Sequence, residues 1–312
     1  MLNRLSKNKN HHTMKRKIAL FIIVTSIHFL AFAQTTTDIR LKYNNPGLIV
    51  DLGVGLWGAP IPVDYDNDGL MDLIMSCPDT PYKGLYLYKN IGTKKEPLFD
   101  KSVQLSEKAF KNIQASYANG KLHVITEGKE FIDFKKNLYS KPKKIQIDKP
   151  TTDGIKKVRS NMWSYADIDS DNDLDIIVSI DDWAEYGWDN AYDKSGKWTN
   201  GPLRGFLKLY ENKDGKYIFK EQIQADGKPI ETFGAPGANM ADFNKDGKLD
   251  IICGEFLDKL TWFENTGTPQ KPKFSKGKLL LDEKGEIIRL HVEMITPVAV
   301  DFDFDGHIDL LV

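Results

Sequence analysis

The chain has 312 residues, 41% of them hydrophobic and 28% charged, enough for one large domain or two ordinary ones with a real core. That composition is not that of a disordered chain. With 24 Gly, 14 Pro and 11% aromatic residues it suits a turn-rich β protein better than a helical bundle.

At the N-terminus, Lys15, Arg16 and Lys17 precede an apolar run from Ile18 to Phe32, and "AFA" at 31–33 offers the small residues a signal peptidase requires. The expectation is a signal peptide over 1–33, cleaved after Ala33, with Met14 as an alternative start. The chain would then act in the periplasm, at the cell surface or outside the cell. A membrane anchor is the alternative, but the apolar run is short for a bilayer, so no transmembrane anchor is expected after cleavage. Removing 1–33 takes six basic residues and no acid, leaving 37 basic against 44 acidic residues, a net of −7. No basic cluster remains to suggest nucleic acid, and divalent cations are the more natural partner. The two cysteines, Cys77 and Cys253, both follow or end apolar runs and are expected as buried free thiols. No Cys/His zinc pattern is present.

Next in the chain comes "VDYDNDGLMDLIM" from 63, and it recurs. "ADIDSDNDLDIIV" starts at 166, "ADFNKDGKLDIIC" at 241 and "VDFDFDGHIDLLV" at 300. Each reads D-x-[DN]-x-D-[GN]-x-x-D followed by apolar residues. The first aspartates stand at 64, 167, 242 and 301. The long first step accommodates a degenerate copy, "ASYANGKLHVIT" at 115–126, with Asn119-Gly120 as a tight turn. The segments 83–100, 204–221 and 258–275 each read as strand, Asn/Gly turn, strand. Repeats of several short strands without a long amphipathic helix predict an all-β chain over 34–312: a β-propeller with one four-stranded antiparallel sheet per blade. Blades centre near 64, 117, 167 and 242, with a partial blade at 301. A β-sandwich is the runner-up. The last motif ends at Asp309, three residues before Val312. The expectation is therefore a chain that stops before its ring closes, as a fragment would.

Within each loop, oxygen-bearing Asp or Asn side chains at positions 1, 3, 5 and 9 can converge on a cation. These are Asp64, Asp66, Asp68 and Asp72; Asp167, Asp169, Asp171 and Asp175; Asp242, Asn244, Asp246 and Asp250; and Asp301, Asp303, Asp305 and Asp309. Six to eight oxygen ligands suit Ca²⁺, with the carbonyl of Leu70 and water completing the first set. An EF-hand would need Glu at position twelve, where Met75, Val178, Cys253 and Val312 stand instead. Because the site recurs from blade to blade, its expected role is structural.

These loops, with "WGAP" (57–60) and "FGAPG" (233–237) before two of them, resemble the FG-GAP/VCBS repeats of integrin-type and secreted bacterial propellers. The resemblance covers residues 40–312 and implies a calcium-binding propeller. It also implies that the calcium turns join the first two strands of each blade, leaving binding loops on the opposite face. Asn172 departs from the Gly expected at position six, as a residue that tolerates a left-handed backbone.

On that opposite face the resemblance places an aromatic and acidic loop, 181–205. It carries Asp181, Asp182, Trp183, Glu185, Tyr186, Trp188, Asp189, Tyr192, Asp193 and Trp198. Rings stack on sugars and carboxylates bond hydroxyls, so Asp181, Asp182, Trp183, Trp188, Asp189 and Glu255 are candidate carbohydrate-binding residues. The alternative is a small core beneath a long loop. Trp57, Arg159, Arg289, His291 and Glu293 are expected on the same face. Three functions stay open: carbohydrate binding in polysaccharide recognition or breakdown; a polysaccharide lyase with His291 or Tyr186 as base and Arg159 or Arg289 neutralising a uronate; and a protein-binding adhesion module. The sequence does not decide whether the chain is an enzyme.

Overall fold

The computed structural model describes residues 42–43, 54–187, 191–290 and 293–312. The leader and its cleavage site lie outside the described residues, as do Trp188, Asp189 and His291. No helix among the described residues is long and apolar enough to cross a membrane.

The expected all-β architecture is observed. Four antiparallel sheets of four strands follow one another along the chain. The first holds Ala59–Val63, Asp72–Cys77, Gly84–Tyr88 and Val103–Ser106. The second holds Gln114–Ala118, Lys121–Thr126, Lys129–Phe131 and Pro142–Lys144. Asn161–Ala166, Asp175–Asp182, Arg204–Lys213 and Lys216–Gln222 make the third, with Glu231–Phe233 added beside its third strand. Ala238–Ala241, Asp250–Gly254, Leu260–Phe263 and Lys278–Leu279 make the fourth. A fifth sheet has two strands among the described residues, Val298–Val300 and Asp309–Leu311, so the ring lacks a full last blade. The sheets are arranged as propeller blades, each with its first strand innermost.

The apolar runs after each aspartate loop form second strands buried on both faces, because successive side chains enter opposite seams. In Asp72–Cys77, Leu73, Met75 and Cys77 face Val300 and Phe302 of the fifth hairpin. Ile74, between them, joins Ala115, Val124 and Phe131 of the second blade. Ile176, Val178 and Ile180 likewise face Ala118, Ile125 and Ile145, while Ile177 turns to Met240 and Ile251. Phe243 and Ile252 pack against Ile308 and Leu310. The fifth hairpin therefore touches both the fourth and the first blade. Cys77 and Cys253 are buried free thiols within these seams.

Backbones meet closely where the fourth blade adjoins the segment entering the fifth. A Cβ on Gly254 would stand 1.9 Å from the Ile295 carbonyl oxygen. Both partners are backbone, so Gly254→Ala is expected to cost about 3 kcal/mol or more through overpacking and displacement. A urea-unfolding midpoint unchanged from wild type would contradict this.

Candidate metal centres and the opposite loop face

Each aspartate loop folds by the same local bonds. The first aspartate accepts two loop amides. The N–H groups of Asp68 and Gly69 donate to Asp64 (both 3.1 Å), those of Asp171 and Asn172 to Asp167 (3.0 and 3.1 Å), those of Asp246 and Gly247 to Asp242 (2.9 and 2.8 Å), and those of Asp305 and Gly306 to Asp301 (both 3.0 Å). The fifth residue then accepts from the amide of the seventh, as Asp68 does from Leu70 at 2.9 Å. Positions four and six are left-handed in every loop. At position six Asn172 has φ 73°, beside glycines in the other three. At position four stand Asn67, Ser170, Lys245 and Phe304, with φ of 55–64°. Only Asn67 favours that conformation by type, so position four was not legible in the sequence.

The ninth aspartate is more buried than its ligand role alone requires. Asp72 is fully buried, accepting from Tyr65 N (3.0 Å) and Asn90 N (2.7 Å). Asp175 accepts from Asn212 N at 2.9 Å and Asp250 from Asn265 N at 2.7 Å. Asn90 and Asn265 in turn each accept two amides of the next turn. The sequence shows the Asn/Gly turns but not that they are bolted to the acidic loops. Burial pushes Asp175 up to about 7 and Asp250 up to about 6, and raises Asp72 and Asp309 as well.

Carboxylate oxygens of Asp64, Asp66 and Asp72 lie within 4.8 Å of one another, as do those of Asp167, Asp169 and Asp171 and those of Asp301, Asp303 and Asp309. The buried Oδ1 atoms of Asp169 and Asp173 have no hydrogen-bond donor. An all-oxygen set with acceptors left over is a donor set that could bind a hard divalent cation. In the loop of the fourth blade Asn244 takes the third position, its amide nitrogen 3.3 Å from Asp246.

On the opposite face, the loop at 181–205 differs from expectation. Its rings are not all exposed. Trp183 is buried with Leu203 and Phe256, and Tyr186, Phe233 and Met294 pack on them. Tyr186 lies against Trp198 with ring centroids 4.6 Å apart. This matches the small-core alternative, and the reason is that the insertion must cover its own apolar surface. Asp181 and Asp182 anchor backbone here. Asp181 accepts from Arg159 N (2.9 Å), Ser160 N (2.8 Å) and the Trp183 indole, while Asp182 accepts from Lys156, Lys157 and Ala184 amides. Glu255 is half-buried, its carboxyl pushed up by burial. Arg289 pairs with Asp258 at 2.6 Å.

What converges is Arg159 with Trp57 and Glu293, all expected on this face, together with Lys111, which was not. The Arg159 guanidinium lies over Trp183 (4.4 Å), Trp57 (5.0 Å) and Phe256 (5.8 Å), and its charge is felt by Asp181 and Glu293. Lys111 Nζ sits 5.2 Å from the Trp57 ring. Trp57 precedes the first blade, Lys111 the second, Arg159 the third and Glu293 the fifth hairpin, while Phe256 follows a fourth-blade strand. Residues from every blade meet only near the axis, so this is the mouth of the propeller. Trp57 holds φ 62°, a strained conformation for a bulky residue.

Repeated aspartate turns on bladed, seam-packed sheets define a β-propeller with one acidic turn in four of its sheets. The FG-GAP-like repeat family model matches residues 242–312, and together with the bladed arrangement it supports the FG-GAP β-propeller family. Among solved structures the chain is similar to part of the Photorhabdus luminescens Tc holotoxin pore, at 14% identity and a TM-score of 0.35. That likeness covers 84% of this chain but only 14% of the other. No curated protein matches.

Proposed function

We propose that this chain is an exported, calcium-stapled propeller that binds carbohydrate at the mouth of its loop face, in polysaccharide recognition or breakdown. The leader-like N-terminus supports export. The all-oxygen loops support Ca²⁺ over Mg²⁺, which resists all-protein cages. The observation that carries the ligand reading is the Trp57 ring, half-exposed at the axis and flanked by Arg159 and Lys111 from two other blades. An indole plane stacks on a sugar ring, and the two cations can hydrogen-bond its hydroxyls or an acidic substituent. Lys111 is exposed, and a cation–π contact there is worth only about 0.5–1 kcal/mol, so a ligand can displace it. A lyase would need a base at this mouth. His291 and Tyr186 are the sequence's candidates, and only Tyr186 is among the described residues, stacked in the small core.

The test is a panel of neutral and uronate-bearing polysaccharides, followed by calorimetry and by absorbance of unsaturated products. Trp57→Asn, which keeps a residue tolerant of left-handed φ, is expected to weaken binding at least about tenfold, the scale of one lost aromatic contact. Binding that ignores this change would move the site elsewhere. If no glycan binds, the carbohydrate reading falls, leaving the adhesion alternative, for which exposed Leu56 and Tyr82 supply apolar contacts on the same face.

A further inference from the structure

The four aspartate loops share their backbone bonds but differ at the seventh position, where Leu70, Asp173, Lys248 and His307 stand. That side chain lies beside the loop's acids in each of the three polar cases. Lys248 Nζ bonds Asp246 at 2.8 Å. His307 Nδ1 meets Asp305 at 2.9 Å. Asp173 adds a fifth carboxylate to Asp167, Asp169, Asp171 and Asp175, and raises no partner of its own: its Oδ1 and that of Asp169 are buried without a donor. The cations nearest that loop, Lys213 and Lys220, are both held by Glu211. In the first loop Leu70 is neutral, and Lys89 from the neighbouring turn bonds Asp66 and approaches Asp68 at 3.7 Å.

From this we infer that the seventh position sets a calcium-affinity order among the blades, with Asp173 making the third-blade loop the tightest site and Lys248 making the fourth-blade loop the weakest. The inference rests on the calcium reading above. Ligand charge tunes calcium affinity over decades at nearly constant geometry. In the fourth-blade loop the ion must displace an ammonium from Asp246 and meets an amide at Asn244. In the third-blade loop it meets the clustered carboxylates of Asp167, Asp169 and Asp171, with the Asp173 charge beside them and two buried oxygens that have no hydrogen-bond donor. The first-blade loop, with Lys89 to displace, and the loop of the fifth hairpin, with the His307 imidazole on Asp305, fall between. One exposed-looking variable residue thus grades otherwise identical staples, so blades load in sequence as calcium rises.

The experiment is calorimetric titration of the calcium-stripped whole chain with calcium chloride. Wild type is expected to show at least two affinity classes. Asp173→Leu weakens the tightest class by about tenfold or more, and Lys248→Leu strengthens the weakest by about the same factor. Asp173→Asn, which keeps the shape and removes only the charge, reproduces most of the loss and guards against misfolding; melting in EDTA confirms that each variant is folded. If the wild type takes up no calcium, the calcium reading itself fails and this inference with it. If calcium binds but all sites are alike and the variants leave them so, only the inference is overturned.

Discussion

Stripping calcium with excess EDTA is expected to lower the melting temperature by about 10 °C or more, and restoring calcium, but not the same concentration of magnesium, should bring it back. The magnitude follows from linkage. A site filled at one hundred times its dissociation constant stabilises the native state by about 2.7 kcal/mol, and each kcal/mol moves the melt of a domain this large by roughly 2 °C. Two such sites already give about 10 °C. The direction follows from electrostatics. Without an ion, the third-blade loop keeps Asp167, Asp169, Asp171, Asp173 and Asp175 within one turn, and burial already opposes ionisation of Asp175. A divalent ion turns that repulsion into attraction. Differential scanning calorimetry decides it: a melt indifferent to chelator would remove the structural role assigned to the loops.

Replacing the ninth aspartate should do damage of another kind. Asp72→Ala is expected to destabilise the chain by about 2–4 kcal/mol even in EDTA, because it orphans the amides of Tyr65 and Asn90 in a buried setting. Asp68→Asn, by contrast, changes an exposed side chain and should cost little in EDTA while weakening the calcium response. Urea unfolding of both variants with and without calcium separates the two roles. Equal behaviour of Asp72→Ala and Asp68→Asn in EDTA would show that the ninth residue is a ligand and no brace. The pairing of Asp72 with Asn90, repeated by Asp175 with Asn212 and Asp250 with Asn265, makes the brace a property of the repeat.

What was legible in the sequence follows the range of the interactions involved. The aspartate turns are local. Asp64 needs only the amides of Asp68 and Gly69 to set the curl, so nine residues carry the whole instruction. The strands that follow are equally plain, since a continuous apolar run such as 73–75 can only be satisfied between two neighbours. The left-handed residue at position four was hidden, because Ser170, Lys245 and Phe304 carry no local preference for it and are held there by the closed loop.

The loop at 181–205 shows where local reading misleads. Its aromatic and acidic composition is compatible with a sugar platform and with a small core, and composition does not distinguish them. Trp183 is 1% exposed because Leu203 and Phe256 close over it, and Phe256 comes from a different blade. Asp181 looked available for a ligand, yet its oxygens are taken by Arg159, Ser160 and Trp183.

By itself, then, the sequence determined the repeat, the short-strand pattern and the acidic turns, since the curl of each turn depends on contacts within about a dozen residues. Only the tertiary structure decided that Trp57, Lys111, Arg159 and Phe256 share one mouth. They stand up to 199 positions apart in the chain and meet because winding the blades brings the start of each inner strand to a common axis.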